Sequence, residues 1–265
     1  SQFTRVHQYQ KPIDHGAIQL MNTCALNVMR AFPEVLMCYG QSDELNFLLA
    51  RDTNLFNRRT SKLNSLFASL VASNFVMHWN GTMNTQPGAT TNLIDNENGN
   101  NSDRDQQLQY APAFDSRCIA FPTISSMKDY FRWRQDDAFV NHVYNTCFWS
   151  LVNKQGKSPS EAQSLLSGTS FSDRNELLFN TFGINIAKDP AMYRRGTILI
   201  RNTSPLSKRT ASCEQEQQNT TTSAELNTVD AQHGIVQLHD DLIGEEFWRS
   251  HHTAHITQMD EKCCK

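Results

Sequence analysis

Two short stretches carry side chains of the kind that handle phosphate. Gly40-Gln41-Ser42-Asp43-Glu44 lies between two apolar runs, Val35–Tyr39 and Leu45–Ala50. That pattern predicts a β-hairpin with two adjacent carboxylates at its tip. A strand pair is a rigid mount, and a carboxylate on its turn can reach Mg²⁺ held by phosphates. Mg²⁺ takes one or two protein carboxylates and fills its shell with water and phosphate oxygens. The competing reading is an ordinary solvated turn, since Asp is common in turns. The second stretch is Arg58-Arg59-Thr60-Ser61-Lys62. Arg58 and Lys62 are spaced i,i+4 and Arg59 and Lys62 i,i+3, so a helix brings three cations toward one face near its start. Cations there oppose the helix dipole. A site for polyphosphate justifies them; a solvated basic face is the alternative.

The elements that must carry these groups are legible in outline. Asp14 can cap a helix whose apolar positions Ile18, Met21, Ala25, Val28, Met29 and Phe32 run through residue 32. After the hairpin, Thr53 opens a long helix to about Trp79, with Leu63, Leu66, Phe67, Leu70, Val71 and Phe75 as its buried stripe. Residues 80–109 are polar and predict a long loop or disordered insertion. Cys118–Phe121 reads as a short strand, with Arg117 at its start placed for a phosphate contact or for an ion pair with Asp115. From Ser125 to about Gln155 two helical segments flank a stretch rich in amides, Asp136 to Thr146. Amides and aromatic rings there suit hydrogen bonding to and stacking on bases. Asp136-Asp137 reads as a second metal pair or a charged helix end. Ser158-Pro159-Ser160-Glu161 is a helix start with a capping serine, and Ser172 or Asp173 starts another helix that Gly183 ends. Thr197–Arg201 is a strand, residues 202–232 a mobile loop, and His239–Trp248 closes the ordered part.

Composition bounds the function. The chain has 265 residues and a formal charge of −3, so nucleic-acid binding must rest on local patches rather than a basic field. Seven cysteines without a Cys-x-x-Cys pair speak against a disulfide framework and a zinc site, and suit a reducing compartment. No apolar run approaches the roughly 18 residues of a membrane span.

Ten short motifs, in order, resemble the tRNA-histidine guanylyltransferase family. They are Lys11-Pro12-x-Asp14, Tyr39-Gly-Gln-Ser-Asp43-Glu44, Leu55-Phe-Asn-Arg58-Arg59-x-Ser61-Lys62, Phe114-Asp115-x-Arg117, Tyr130-x-x-Trp133-Arg134, Asn141-x-x-Tyr144-Asn145-Thr146, Gly168-Thr169, Asn175-Glu176-x-Leu178-Phe179, Gly183-Ile-Asn185 and Met192-Tyr-Arg194-Arg195-Gly196. The resemblance covers nearly the whole ordered chain. It implies an α+β, two-layer fold like a polymerase palm, with a ferredoxin-like antiparallel sheet backed by helices. It divides the chain into a palm-like part, 1–125, and a helical and C-terminal part with tRNA-handling motifs, 126–265.

The implied reaction adds a guanosine nucleotide to the 5′ end of tRNA-His. ATP activates the 5′-phosphate, the 3′-hydroxyl of GTP attacks the adenylylated end, and pyrophosphate is removed. Two Mg²⁺ ions, roughly 3.5–4 Å apart in such sites, serve the chemistry. By the same resemblance Asp43 and Glu44 are metal-binding and catalytic, and Lys62 is catalytic. Ser42, Asp43, Arg59, Lys62 and Asn145 bind nucleotide. Lys11, Arg117, Asn141, His142, Arg174 and Asn185 handle tRNA. A homotetramer, without a membrane, working in the cytoplasm or nucleus or in mitochondria, is the implied setting.

Three departures qualify the match. The family's first strand and its Asp-Gly-Arg/Lys-x-Phe motif would precede residue 1, so a missing first strand and first metal-binding Asp are expected, through truncation or loss of catalysis. Phe139 and His142 replace a family His and Asn. Arg174 replaces a Lys and offers a fork in place of a point donor. The alternatives are a catalytically impaired tRNA- or nucleotide-binding protein, a template-dependent 3′-to-5′ repair polymerase and, last, a nucleotide cyclase relative.

Overall fold

The computed structural model describes residues 2–83, 107–202 and 227–250, with Thr253 and Ile256. Its centre is an antiparallel five-stranded sheet of β1 (Val35–Gln41), β2 (Glu44–Leu49), β3 (Thr197–Arg201), β4 (Asn227–Asp230) and β5 (Ile235–Leu238), in the order β2-β1-β3-β5-β4. Strand parity, with a register shift between Val35 and Met37, decides which side chains meet which helices. Val35, Cys38, Leu199 and Ile235 pack with α2 (His15–Ala31) and α3 (Thr60–Met83) on one face. Met37, Tyr39, Ile198, Ile200, Val236 and Leu238 face the other way, onto Met127 and Phe131 of α4 (Ile124–Gln155) and onto Leu242, Phe247 and Trp248. Phe247 and Trp248 belong to α8 (Glu245–Arg249).

The second half of α4 leaves the sheet and builds a separate helical core. Val143, Cys147 and Leu151 pack there on α5 (Pro159–Leu166), α6 (Phe171–Phe182) and Ile186. Two short helices complete the set, α1 (Gln2–Val6) and α7 (Ala191–Arg195).

Local chemistry fixes most boundaries. Asp14 accepts from the Ala17 amide at 2.9 Å and starts α2. Ser158 and Ser170 each form a reciprocal cap, with Glu161 and Asp173. Gly156 and Gly183 end α4 and α6 in left-handed conformation.

Several expectations need correction. The stretch 125–155 is one continuous 32-residue helix, because the polar middle lies along its length without breaking the backbone ladder. The helix at Ser170 starts earlier than expected, its cap being Ser170. Cys118–Phe121 is not a strand: it pairs with no strand among the described residues, and it lines a cavity together with β2. Strand β5 and helix α1 were not anticipated; β5 is only four residues long, and α1 five. The helix expected from Thr53 begins at Thr60, after a short turn. Most of the two polar stretches, 84–106 and 203–226, lies outside the described residues; of the stretch expected as a loop, 227–230 is strand β4.

Candidate nucleotide and RNA site

The hairpin is tighter than its sequence suggested. Gln41 pairs with Glu44, so only Ser42 and Asp43 form the turn, and Ser42 takes the positive φ (52°) that such a turn requires. Both turn residues are exposed. The two carboxylates are thereby separated in role. Asp43 projects from the turn, while Glu44, already on β2, meets the Arg134 guanidinium of α4.

That ion pair is one link of a network joining hairpin and helix. Tyr130 donates to the Asn46 side-chain carbonyl at 2.7 Å. Arg134 also approaches Asp137 at 3.6 Å, and Asn141 donates to Asp137 at 3.2 Å. These α4 residues recur every three or four positions, so they form one stripe that begins at the hairpin. Asn145 is the next in that stripe and is exposed.

Lys11 approaches from the N-terminal segment. Its ammonium lies 5.8 Å from the Trp149 ring, four residues beyond Asn145 on the same helix. Burial pushes the Lys11 pKa down, and the Asp14 and Asp43 carboxylates act in the opposite direction. Tyr9 is raised by burial and by the same two carboxylates. Asp43 thus shares its electrostatic surroundings with Tyr9, Lys11 and Asp14. Asp14 itself is engaged in backbone hydrogen bonds to Gln10 and Ala17, which fix the segment carrying Lys11.

The cations before α3 do not form a single helical face. Leu55–Arg58 is a tight turn whose Phe56, Asn57 and Arg58 are left-handed, and the Arg58 guanidinium is spent on the carbonyl of Arg51 at 2.9 Å. Arg58 precedes α3, so the i,i+4 geometry with Lys62 does not apply. Arg59 and Lys62 are exposed. A cavity of about 840 Å³ runs along the outer edge of β2, between that strand, α3, α4 and the segment 114–122. Asp43, Glu44, Arg58, Arg117 and Arg134 line it; among the described residues β2 has no strand neighbour on that edge.

The predicted tRNA residues divide. Arg117 lines the cavity at the hairpin, and Asn141 lies on the α4 stripe. Arg174 is anchored on Thr169, donating to its hydroxyl at 3.0 Å and its carbonyl at 2.9 Å, with Tyr144 under the guanidinium. Asn185 is exposed and caps the turn that follows by accepting from Ala187. His142 is corrected: it is buried on the inner side of α4, and Nε2 meets Asp189 at 2.8 Å. It holds the 185–189 turn and presents no surface to RNA. Sequence reasoning also missed Asn46 as the partner of Tyr130. The signal was an amide interrupting the otherwise apolar run Leu45–Ala50.

The comparisons agree with one another. A family model described as tRNAHis guanylyltransferase matches residues 1–122, and one described as Thg1 C terminal domain matches residues 125–244. A probable tRNA(His) guanylyltransferase of Drosophila melanogaster is 38% identical over 249 residues, covering 94% of this chain and 72% of that protein. A tRNA(His) guanylyltransferase of Debaryomyces hansenii is 36% identical over 246 residues, covering 93% and 84%. The crystal structure of the Saccharomyces cerevisiae enzyme superposes with a TM-score of 0.64 at 35% identity, covering 75% of this chain and 80% of that one.

Proposed function

The chain belongs to the tRNAHis guanylyltransferase family, whose members are nucleotidyltransferases, and on that premise we propose how its own residues share the work of adding a guanosine nucleotide to the 5′ end of tRNA-His. The observation that carries the reading is the division of the acidic pair. Asp43 is exposed at a rigid two-residue turn, and Glu44 is bound to Arg134.

A single exposed carboxylate beside phosphate oxygens and water is a donor set that suits Mg²⁺, and Asp43 would hold it. Mg²⁺, when bound, neutralises phosphate charge and makes the attacking hydroxyl more acidic. Glu44 acts differently: it fixes the turn to α4 and so fixes where Asp43 stands. Ser42 adjoins the same phosphates, and Lys62 and Arg59 neutralise triphosphate charge. GTP and ATP are the nucleotides.

Lys11 is the group that orients the 5′ end. Its lowered pKa reflects partial burial, where an ammonium gains from a phosphate more than it would in water. Asn141 and Asn145 present amides to the nucleotide or RNA along α4. Arg117, Arg174 and Asn185 supply further RNA contacts. The RNA is clamped across a homotetramer. None of the helices among the described residues is long and apolar enough to cross a membrane. The work of tRNA maturation lies in the cytoplasm, the nucleus or mitochondria.

The test is single-turnover addition to radiolabelled, 5′-phosphorylated tRNA-His with ATP, GTP and Mg²⁺, using the 265-residue chain. The expected product is longer by one guanosine nucleotide. Binding of the tRNA without extension would support the binding-protein reading. Extension that follows a template beyond one nucleotide would support end repair.

A further inference from the structure

Three consecutive residues without the freedom of glycine, Phe56, Asn57 and Arg58, have φ of 52°, 55° and 55°. L-residues pay for that conformation, and it persists where the surroundings over-determine it. The surroundings do so here. The Asn57 amide donates to the Asn54 carbonyl at 2.9 Å, and Arg58 is tied to the Arg51 carbonyl. The Phe56 ring meets Phe32 edge-on at 5.9 Å, and Phe32 stacks on the buried Phe67 of α3 at 4.9 Å.

The consequence is a contact that a helix cannot make. Residues 56 and 62 are six apart, and in a continuous α-helix positions six apart do not share a face. The left-handed turn folds Phe56 back over the start of α3, and the Lys62 ammonium sits 4.8 Å from the centre of its ring. An ammonium has three donors, and an aromatic face uses one side of it. The remaining donors stay available to an anion.

We propose that Phe56 is a positioning residue for nucleotide binding: its ring holds the Lys62 ammonium in place for the triphosphate. Lys62 is otherwise a flexible stem on an exposed helix start, and ordering it at the moment of binding would weaken affinity. The ring orders it beforehand. This inference rests on the phosphate role given to Lys62 above and adds the residue that aims it.

The experiment is calorimetric titration of the full chain with GTP in excess Mg²⁺. Position 56 carries phenylalanine, then mono-, di- and trifluorinated phenylalanines, which keep the ring's shape and drain its negative face. Lys62→Ala and Phe56→Leu are measured beside them. The expected result is a Kd that rises stepwise with fluorination, about two- to fivefold by the last member, as an exposed cation–π contact allows. Phe56→Leu should give a similar rise, and the fluorinated series should have no effect in the Lys62→Ala background. A Kd that ignores fluorination while Lys62→Ala weakens binding overturns the proposal and leaves Lys62 as a phosphate ligand. A Kd that falls with fluorination also overturns it, since the ring would then compete with the nucleotide. Unchanged binding in Lys62→Ala, or no saturable GTP binding by the parent chain, removes the phosphate reading itself.

Discussion

Glu44 and Arg134 form an ion pair that ties the first residue of β2 to the middle third of α4. Arg134 is buried by α4 and the sheet, with only a tenth of its side chain exposed, and Asp137 is its second acidic neighbour. The pair therefore does two things. It gives an acidic partner at Nη2 to a guanidinium that has little water and whose Nε has no hydrogen-bond partner among the described residues, and it leaves Asp43 as the carboxylate directed outward.

The first prediction separates the two acids. Asp43→Ala should abolish nucleotide transfer while changing stability by less than about 0.5 kcal/mol, because the side chain is exposed. Glu44→Gln should destabilise by about 1–2 kcal/mol, a discounted figure because the Glu44 side chain is 41% exposed and Asp137 remains. Single-turnover assays paired with urea melts make the distinction. Full turnover in Asp43→Ala would falsify the metal assignment.

The second prediction concerns the end of the β1–β3 pairing, where Gly40 lies opposite Thr197. Gly196 has φ +76° and ψ −166°, a region almost confined to glycine. A Cβ there would lie 2.6 Å from the Gly40 carbonyl oxygen and 2.9 Å from the Tyr39 ring. Gly156 also has a positive φ, +66°, but a Cβ there meets nothing within 4 Å. Gly196→Ala should cost more than about 3 kcal/mol, and Gly156→Ala about 1 kcal/mol. Equal losses in thermal melts would show that the crowding at Gly196 relaxes freely.

These two cases show what could be read in the residues and what could not. The hairpin was legible because its two apolar runs and its turn are contiguous. The caps at Asp14 and Ser158 were legible for the same reason. The division between Asp43 and Glu44 was not, because it depends on Arg134, ninety positions away. His142 looked like a surface group within an amide-rich motif, and helical phase alone did not tell its inner face from its outer one. The Arg58–Lys62 spacing misled because nothing in Phe56-Asn57-Arg58 marks three left-handed residues; none is glycine.

The third prediction is a pH dependence from His142. Burial lowers its pKa below the ordinary 6.5, and the hydrogen bond to Asp189 only partly opposes this. The folded state then binds the proton less readily than the unfolded state. This share of the stability is complete above about pH 6.5 and is lost as pH falls below it. His142→Gln should flatten the slope of stability between about pH 7 and pH 5. Denaturant titrations at stepped pH would show this, and a parent chain whose stability is flat over that window would contradict it.

The last prediction lies at the far edge of the sheet. Asp230 accepts from Arg30 of α2 at 2.6 Å, and His233 adds its Nδ1 at 2.8 Å and its backbone amide at 3.1 Å. The Arg30 hydrogen bond leads in drawing the Asp230 pKa from 3.8 down to about 2; burial works against it, and the two His233 contacts assist. The folded state therefore releases this proton more readily than the unfolded chain. The stability gained is present above about pH 4 and disappears as pH falls toward 2. Arg30 is 42% exposed, so solvent screens the pair, and about 1–2 kcal/mol is the expected size. Asp230→Asn should remove that amount at pH 7 and almost nothing near pH 2. Because the contact clips the β4–β5 edge onto α2, amide exchange in residues 227–238 should accelerate more than in β1. A variant whose loss of stability is the same at both pH values would mean that Asp230 acts through shape and not through charge.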